Sequence, residues 1–119
     1  MSRIAAYQEH AVTTQSKGHL VVLLYDGAIR FLNQAIEALE AGDLARKGEL
    51  VGKAMDIVNE LDTALDMDAG GEIANNLRSL YDFMRRHLLQ GHLRNNAQTL
   101  RDVVAILEEL NEAWRTITG

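Results

Sequence analysis

The stretch Leu20-Val21-Val22-Leu23-Leu24-Tyr25-Asp26-Gly27-Ala28-Ile29-Arg30-Phe31-Leu32-Asn33-Gln34-Ala35-Ile36-Glu37-Ala38-Leu39 decides the fold class. With each residue turned about 100° from the last, as in an α-helix, Leu20, Leu24, Tyr25, Ile29, Phe31, Leu32, Ala35, Ile36 and Leu39 share one side. Asp26, Arg30, Asn33, Gln34 and Glu37 share the other. This is a long amphipathic helix. Its most apolar run, Leu20 to Tyr25, is far shorter than the roughly 20 residues that a bilayer demands.

Working outward, the punctuation on either side implies three more helices. Ser16 is placed to cap a first helix from about Lys17 to Ala41, and Gly42 to stop it. Asp43 would cap a second helix from about Leu44 to Asp66. Asp68-Ala69-Gly70-Gly71 is the strongest loop signal in the chain. A third helix is expected from about Glu72 to near Gly91 and His92. Asn95 with Gln98 resembles a capping box that opens a fourth, from about Asn96 to Thr118. Four such helices on short connections imply an all-α, antiparallel up-down-up-down four-helix bundle. Residues 1–15 would form a short separate segment before the bundle of residues 16–119, the whole being one domain.

Composition agrees. The chain has 119 residues, enough for one domain, and no proline, which suits long uninterrupted helices. Aromatics are only 5% of the residues, so the large side chains that sheets favour are scarce. Twelve Lys and Arg against 17 Asp and Glu leave a net charge of -5, which argues against nucleic acid as a partner. With no cysteine there is no disulfide framework and no thiolate chemistry. The N-terminal residues have no long apolar core, so neither a signal peptide nor membrane insertion is expected, and a cytoplasmic location is.

The apolar stripes of the first, second and fourth helices each cover about half the circumference, wider than the minimal arc of roughly 100°. Two explanations are open. A compact bundle can bury wide stripes, with the N-terminal segment covering the remainder; or a groove is left for a guest helix, because contiguous exposed apolar surface marks an interaction site.

Catalytic and metal patterns are missing. No Glu is followed three residues later by His, the spacing that di-iron bundles use, and neither HExxH nor a glycine-rich phosphate loop occurs. No metal, cofactor or enzymatic activity is therefore expected. One near-match, His87-Leu88-Leu89-Gln90-Gly91, is similar to the His-x-Leu-Lys-Gly segment of histidine phosphotransfer domains. Gln90 stands where a lysine would offset the phosphoryl charge. Phosphotransfer through His87 is kept as an alternative, as is a structural bundle that self-associates.

Several segments together resemble one family, the flagellin-specific export chaperones of bacterial flagella (FliS). They are Tyr7, Val12-Thr13-Thr14-Gln15-Ser16-Lys17, Leu24 to Leu32, and Gly42-Asp43-Leu44, followed by Leu61 to Asp66 and Gly70 to Leu77. Leu80-Tyr81-Asp82-Phe83-Met84 and Leu110-Asn111-Glu112-Ala113-Trp114 complete the set. The segments are collinear over nearly the whole chain; the departures are Lys17 in place of a helix-opening proline, with Gln15 and His19 also atypical. The resemblance implies a cytoplasmic chaperone that binds the C-terminal segment of flagellin, prevents its premature polymerisation and helps deliver it to the export gate. It also implies that the N-terminal segment covers part of the groove, with Ile4, Tyr7 and Val12 as the cover. Leu50, Ile57, Leu61, Ile106 and Leu110 are then expected at groove edges. The helix pair that frames the groove, and the oligomeric state, are left open.

Overall fold

The computed structural model describes residues 3–118, with side chains described from Gly18 onward. The chain forms α1 (Arg3–Glu40), α2 (Leu44–Thr63), α3 (Met67–Leu93) and α4 (Ala97–Thr118). α1 packs on α2 and α4, α3 packs on the same two, and the pairs α1/α3 and α2/α4 lie across the diagonals. Each connection is three residues long (41–43, 64–66 and 94–96), so consecutive helices run antiparallel. The four-helix bundle expected from periodicity is the observed fold.

Tyr25, Leu32, Val58, Tyr81, Met84, Leu88, Leu100, Val103 and Leu107 are fully enclosed along its axis. Gly27 lets α1 and α2 come close: a Cβ there would stand 3.3 Å from the Ile57 tip.

Helix boundaries moved where two signals competed. α1 does not start at Ser16 but runs back to Arg3, 38 residues in all. Lys17 keeps the N–H and the helical φ freedom that a proline there would restrict, so nothing in the backbone forces a break. At ~1.5 Å per residue, a helix of this length accounts for the 57 Å long axis of the molecule. The cover positions Ile4, Tyr7 and Val12 lie on this run, and their side chains fall outside the described residues.

α2 stops at Thr63 rather than Asp66, because Asp66 caps α3 instead: its carboxylate accepts from the Ala69 N–H at 3.0 Å. The expected loop at 68–71 is thereby a single helical turn. Gly71 ends that turn with φ 54 and ψ -130, a conformation open to glycine alone, and α3 resumes beyond it.

At α4 the cap is Asn96, whose side chain accepts from Thr99 N–H at 3.2 Å. Asn95 takes a left-handed φ of 50 and closes α3, and Gln98 donates to Asp102 rather than back to a capping residue. The α1–α2 and α3–α4 turns are the same device. Asp43 N–H bonds to Ala38 C=O and Gly42 N–H to Leu39 C=O, just as Asn96 N–H bonds to Gly91 C=O and Asn95 N–H to His92 C=O. The left-handed residue in each, Gly42 or Asn95, satisfies carbonyls that the helix end would orphan.

Between these two turns lies a buried lysine. Lys47 of α2 is 3% exposed, and its ammonium donates to His92 C=O (2.9 Å) and Asn95 Oδ1 (2.7 Å) and stands 2.9 Å from His92 Nδ1. Three donors meet three acceptors at the negative end of the α3 dipole. Burial lowers the lysine's pKa below its usual value, and no carboxylate offsets that.

A cleft at the open end of the bundle

The two capped turns lie at one end. At the other, where α2 passes into α3 and α1 and α4 meet beside them, the helices leave a cleft of about 410 Å³. α1 lines it with Leu20, Val21 and Leu24, the end of α2 with Leu61, and the connection with Ala64, Leu65 and Asp66. α3 contributes Tyr81 and α4 Trp114. Among the described residues Asp66 is the one carboxylate in this lining, and its oxygen is already engaged as a helix cap. Leu20 is 53% exposed at the rim. The arrangement can bury apolar side chains, and among the described residues it holds no group suited to bond-making chemistry.

Beneath the cleft the aromatic side chains are tied together. Tyr25 of α1 and Tyr81 of α3 join hydroxyl to hydroxyl across the bundle diagonal at 2.6 Å. Trp114 tilts against Tyr25 with ring centroids 6.5 Å apart. Burial pushes both phenols above their usual pKa; for Tyr25 the hydrogen bonds from Tyr81 and Trp114 work the other way but do not reverse it.

One turn away, α1 and α4 are clasped. The Asp26 carboxylate accepts from Asn111 Nδ2 (2.7 Å) and from the Arg115 guanidinium (2.6 and 2.8 Å). Burial alone would raise Asp26, but these hydrogen bonds and the charges of Arg115 and Arg30 outweigh it and hold the carboxyl below its usual pKa. Asn111 is 5% exposed and its Oδ1 has no hydrogen-bond partner among the described residues. The Asp26 contact fixes its orientation, since a flipped amide would set oxygen against carboxylate.

The expected edge positions do not converge on one groove. Leu61 lines the cleft although it is 4% exposed. Leu50, 3% exposed, is enclosed in the core and at no edge, because its place on the α2 stripe points along the bundle axis. Ile57 is half-buried against Gly27 at the α1–α2 seam. Ile106 and Leu110 are half-buried one and two turns from Asp102, which faces His87 of α3, and so belong to the α3–α4 seam. The cleft residues that sequence reasoning did not gather are Leu20, Val21, Leu24, Leu65 and Tyr81. Trp114, open there between core and rim, lies at the rim.

His87 stacks on Phe83 with centroids 4.6 Å apart, and its Nε2 is 3.7 Å from an Asp102 oxygen. A phosphoryl group on that ring would meet a carboxylate, which disfavours the phosphotransfer alternative. Among the described residues, no helix is long and apolar enough to cross a membrane.

The clasp and the aromatic floor draw on segments far apart in sequence, Leu24 to Leu32 and Leu110 to Trp114, which are among those carrying the family resemblance. Comparison with known proteins agrees. The family model described as flagellar protein FliS matches residues 1–119. The chain is similar to the flagellar secretion chaperone FliS of Salmonella typhimurium, 46% identical over 92% of this chain and 82% of that one. The Vibrio cholerae protein of the same name is 40% identical over 96% of this chain and 87% of its own. The Bacillus subtilis one is 33% identical over 92% and 81%. A family match over the whole chain and relatives at these identities carry one conclusion: the chain belongs to the FliS family of flagellar secretion chaperones, which are not enzymes.

Proposed function

We propose that the protein binds the C-terminal helical segment of flagellin in the cytoplasm, keeps it from polymerising prematurely and aids its delivery to the flagellar export gate. The observation that supports this reading is the apolar cleft at the open end of the bundle, in a chain whose relatives are named flagellar secretion chaperones. A segment that assembles with its own kind through an apolar face is kept monomeric when that face is buried elsewhere. Ordering a flexible guest offsets part of the burial energy, so affinity stays moderate and the cargo can be released. In this reading Ile4, Tyr7 and Val12 cover apolar surface until cargo arrives. α1, which carries them, also forms one wall of the cleft.

Calorimetry with a peptide of the flagellin C-terminal segment tests the proposal. One-to-one binding at micromolar concentrations is expected; no heat and no complex at about 100 μM would rule it out.

A further inference from the structure

Apolar surface runs on from the cleft along the α1–α2 seam. On α1, Leu24 of the cleft is followed on the same side by Gly27 and Phe31, one and two turns on. On α2, Leu61 of the cleft is preceded on its face by Ile57 and Lys53, again one and two turns away. The two rows meet rung by rung. A Cβ at Gly27 would stand 3.3 Å from the Ile57 tip, and the Lys53 ammonium lies 5.5 Å from the centre of the Phe31 ring. Leu24, Ile57 and Phe31 stay half-buried along this line, which extends about 10 Å past the cleft.

The far end of the seam is charged. The Arg30 guanidinium stands 5.4 Å from the same ring centre, so cations from both helices converge on Phe31. Both side chains are exposed. Among the described residues neither is ion-paired to a carboxylate, whereas Arg78, Arg85, Arg101 and Arg115 all are. Asp26, one turn from Arg30, is already held by Arg115. An exposed ring binds a cation only weakly, so both charges remain open to a stronger partner. In a chain of net charge -5 this corner is a local exception.

We propose that Arg30 and Lys53 are the charged end of the cargo surface, pairing with a carboxylate on the bound helix about two turns beyond the apolar side chains that it seats in the cleft. This rests on the reading of the cleft as the flagellin site. It adds what apolar burial cannot supply. A greasy seam accepts a helix in either direction and at several positions, whereas a cation pair at one end fixes which way round the guest lies and in which register.

The test is calorimetry with the flagellin C-terminal peptide against the wild-type chain and a double variant carrying Arg30→Gln and Lys53→Gln, with a thermal melt of each. Both side chains are exposed, so the melts should agree within about 3 °C, while the double variant binds about fivefold more weakly. Two further arms need only the wild-type protein. Raising NaCl from about 50 to about 500 mM should weaken its binding about fivefold. In a peptide series with each Asp and Glu changed to its amide, one position should lose about fivefold, and lose almost nothing further against the double variant. If the double variant binds like wild type, if salt has no effect, or if no acidic position shows a loss, the charged end is overturned while the flagellin reading stands. A wild-type chain that ignores the unmodified peptide overturns both.

Discussion

The two ends of this bundle solve the same problem in opposite ways. At the closed end, left-handed Gly42 and Asn95 finish α1 and α3, and the Lys47 ammonium gives its three hydrogens to the last turn of α3. Polar groups there are satisfied locally. At the open end the α2–α3 connection is a capped turn broken by Gly71, and the helices part over an apolar cleft. Polar groups there are arranged around a space: a clasp on one side, a hydroxyl pair underneath. The lesson is that this bundle buries a polar anchor at one end and keeps an apolar cleft at the other.

The largest effect should come from the closed end. Lys47→Met keeps the stem but strips three acceptors of their donor; urea unfolding should show a loss of about 3 kcal/mol with cargo affinity in the folded protein little changed. If the loss is under about 0.5 kcal/mol, the closed end is not the anchor described here. Next is Gly71→Ala, which forces a side chain into φ 54, ψ -130 and should cost about 2 kcal/mol by the same measurement. Cargo binding should weaken as well, since Ala64 and Leu65 hang on that turn.

Leu20→Asp inverts the pattern. At 53% exposure it should leave the urea midpoint nearly unmoved, while peptide affinity falls about tenfold in calorimetry. Equal affinity would show that the cleft is not where the cargo sits. The smallest effect is electrostatic. Asp26 has its pKa held below the ordinary 3.8, so the unfolded chain binds its proton first as pH falls. The clasp therefore contributes fully above pH 4 and is lost as the pH drops through the lowered folded value. Asp26→Asn should remove that part of the acid sensitivity, worth only about 0.5 kcal/mol because the pair is partly exposed.

What the sequence disclosed follows from how local each cause is. Gly42 and Asp43 act within one turn of themselves, and both were legible as stop and cap. Asn95 and Asn96 are chemically identical neighbours, so the α4 cap expected at Asn95 falls one residue later, at Asn96, while Asn95 closes α3. Lys47 gave no hint of burial, since its acceptors lie 45 and 48 residues along the chain. The cleft was hidden for a different reason. A helical wheel collapses each helix along its axis, so Leu50 and Leu61 looked equivalent although one sits mid-core and the other at the opening. Only the topology, which brings the start of the bundled part of α1, the end of α2 and the end of α4 to one level, separates them.

Connections of three residues give the helices no slack to slide past one another. With one end pinned by Lys47, the geometry left for admitting a bulkier occupant is a hinge. α2 is 20 residues long, a lever of ~30 Å, so a swing of about two degrees parts the far tips by ~1 Å. In such a swing the grip at one end would set how finely the other could be adjusted, as in a pair of tweezers.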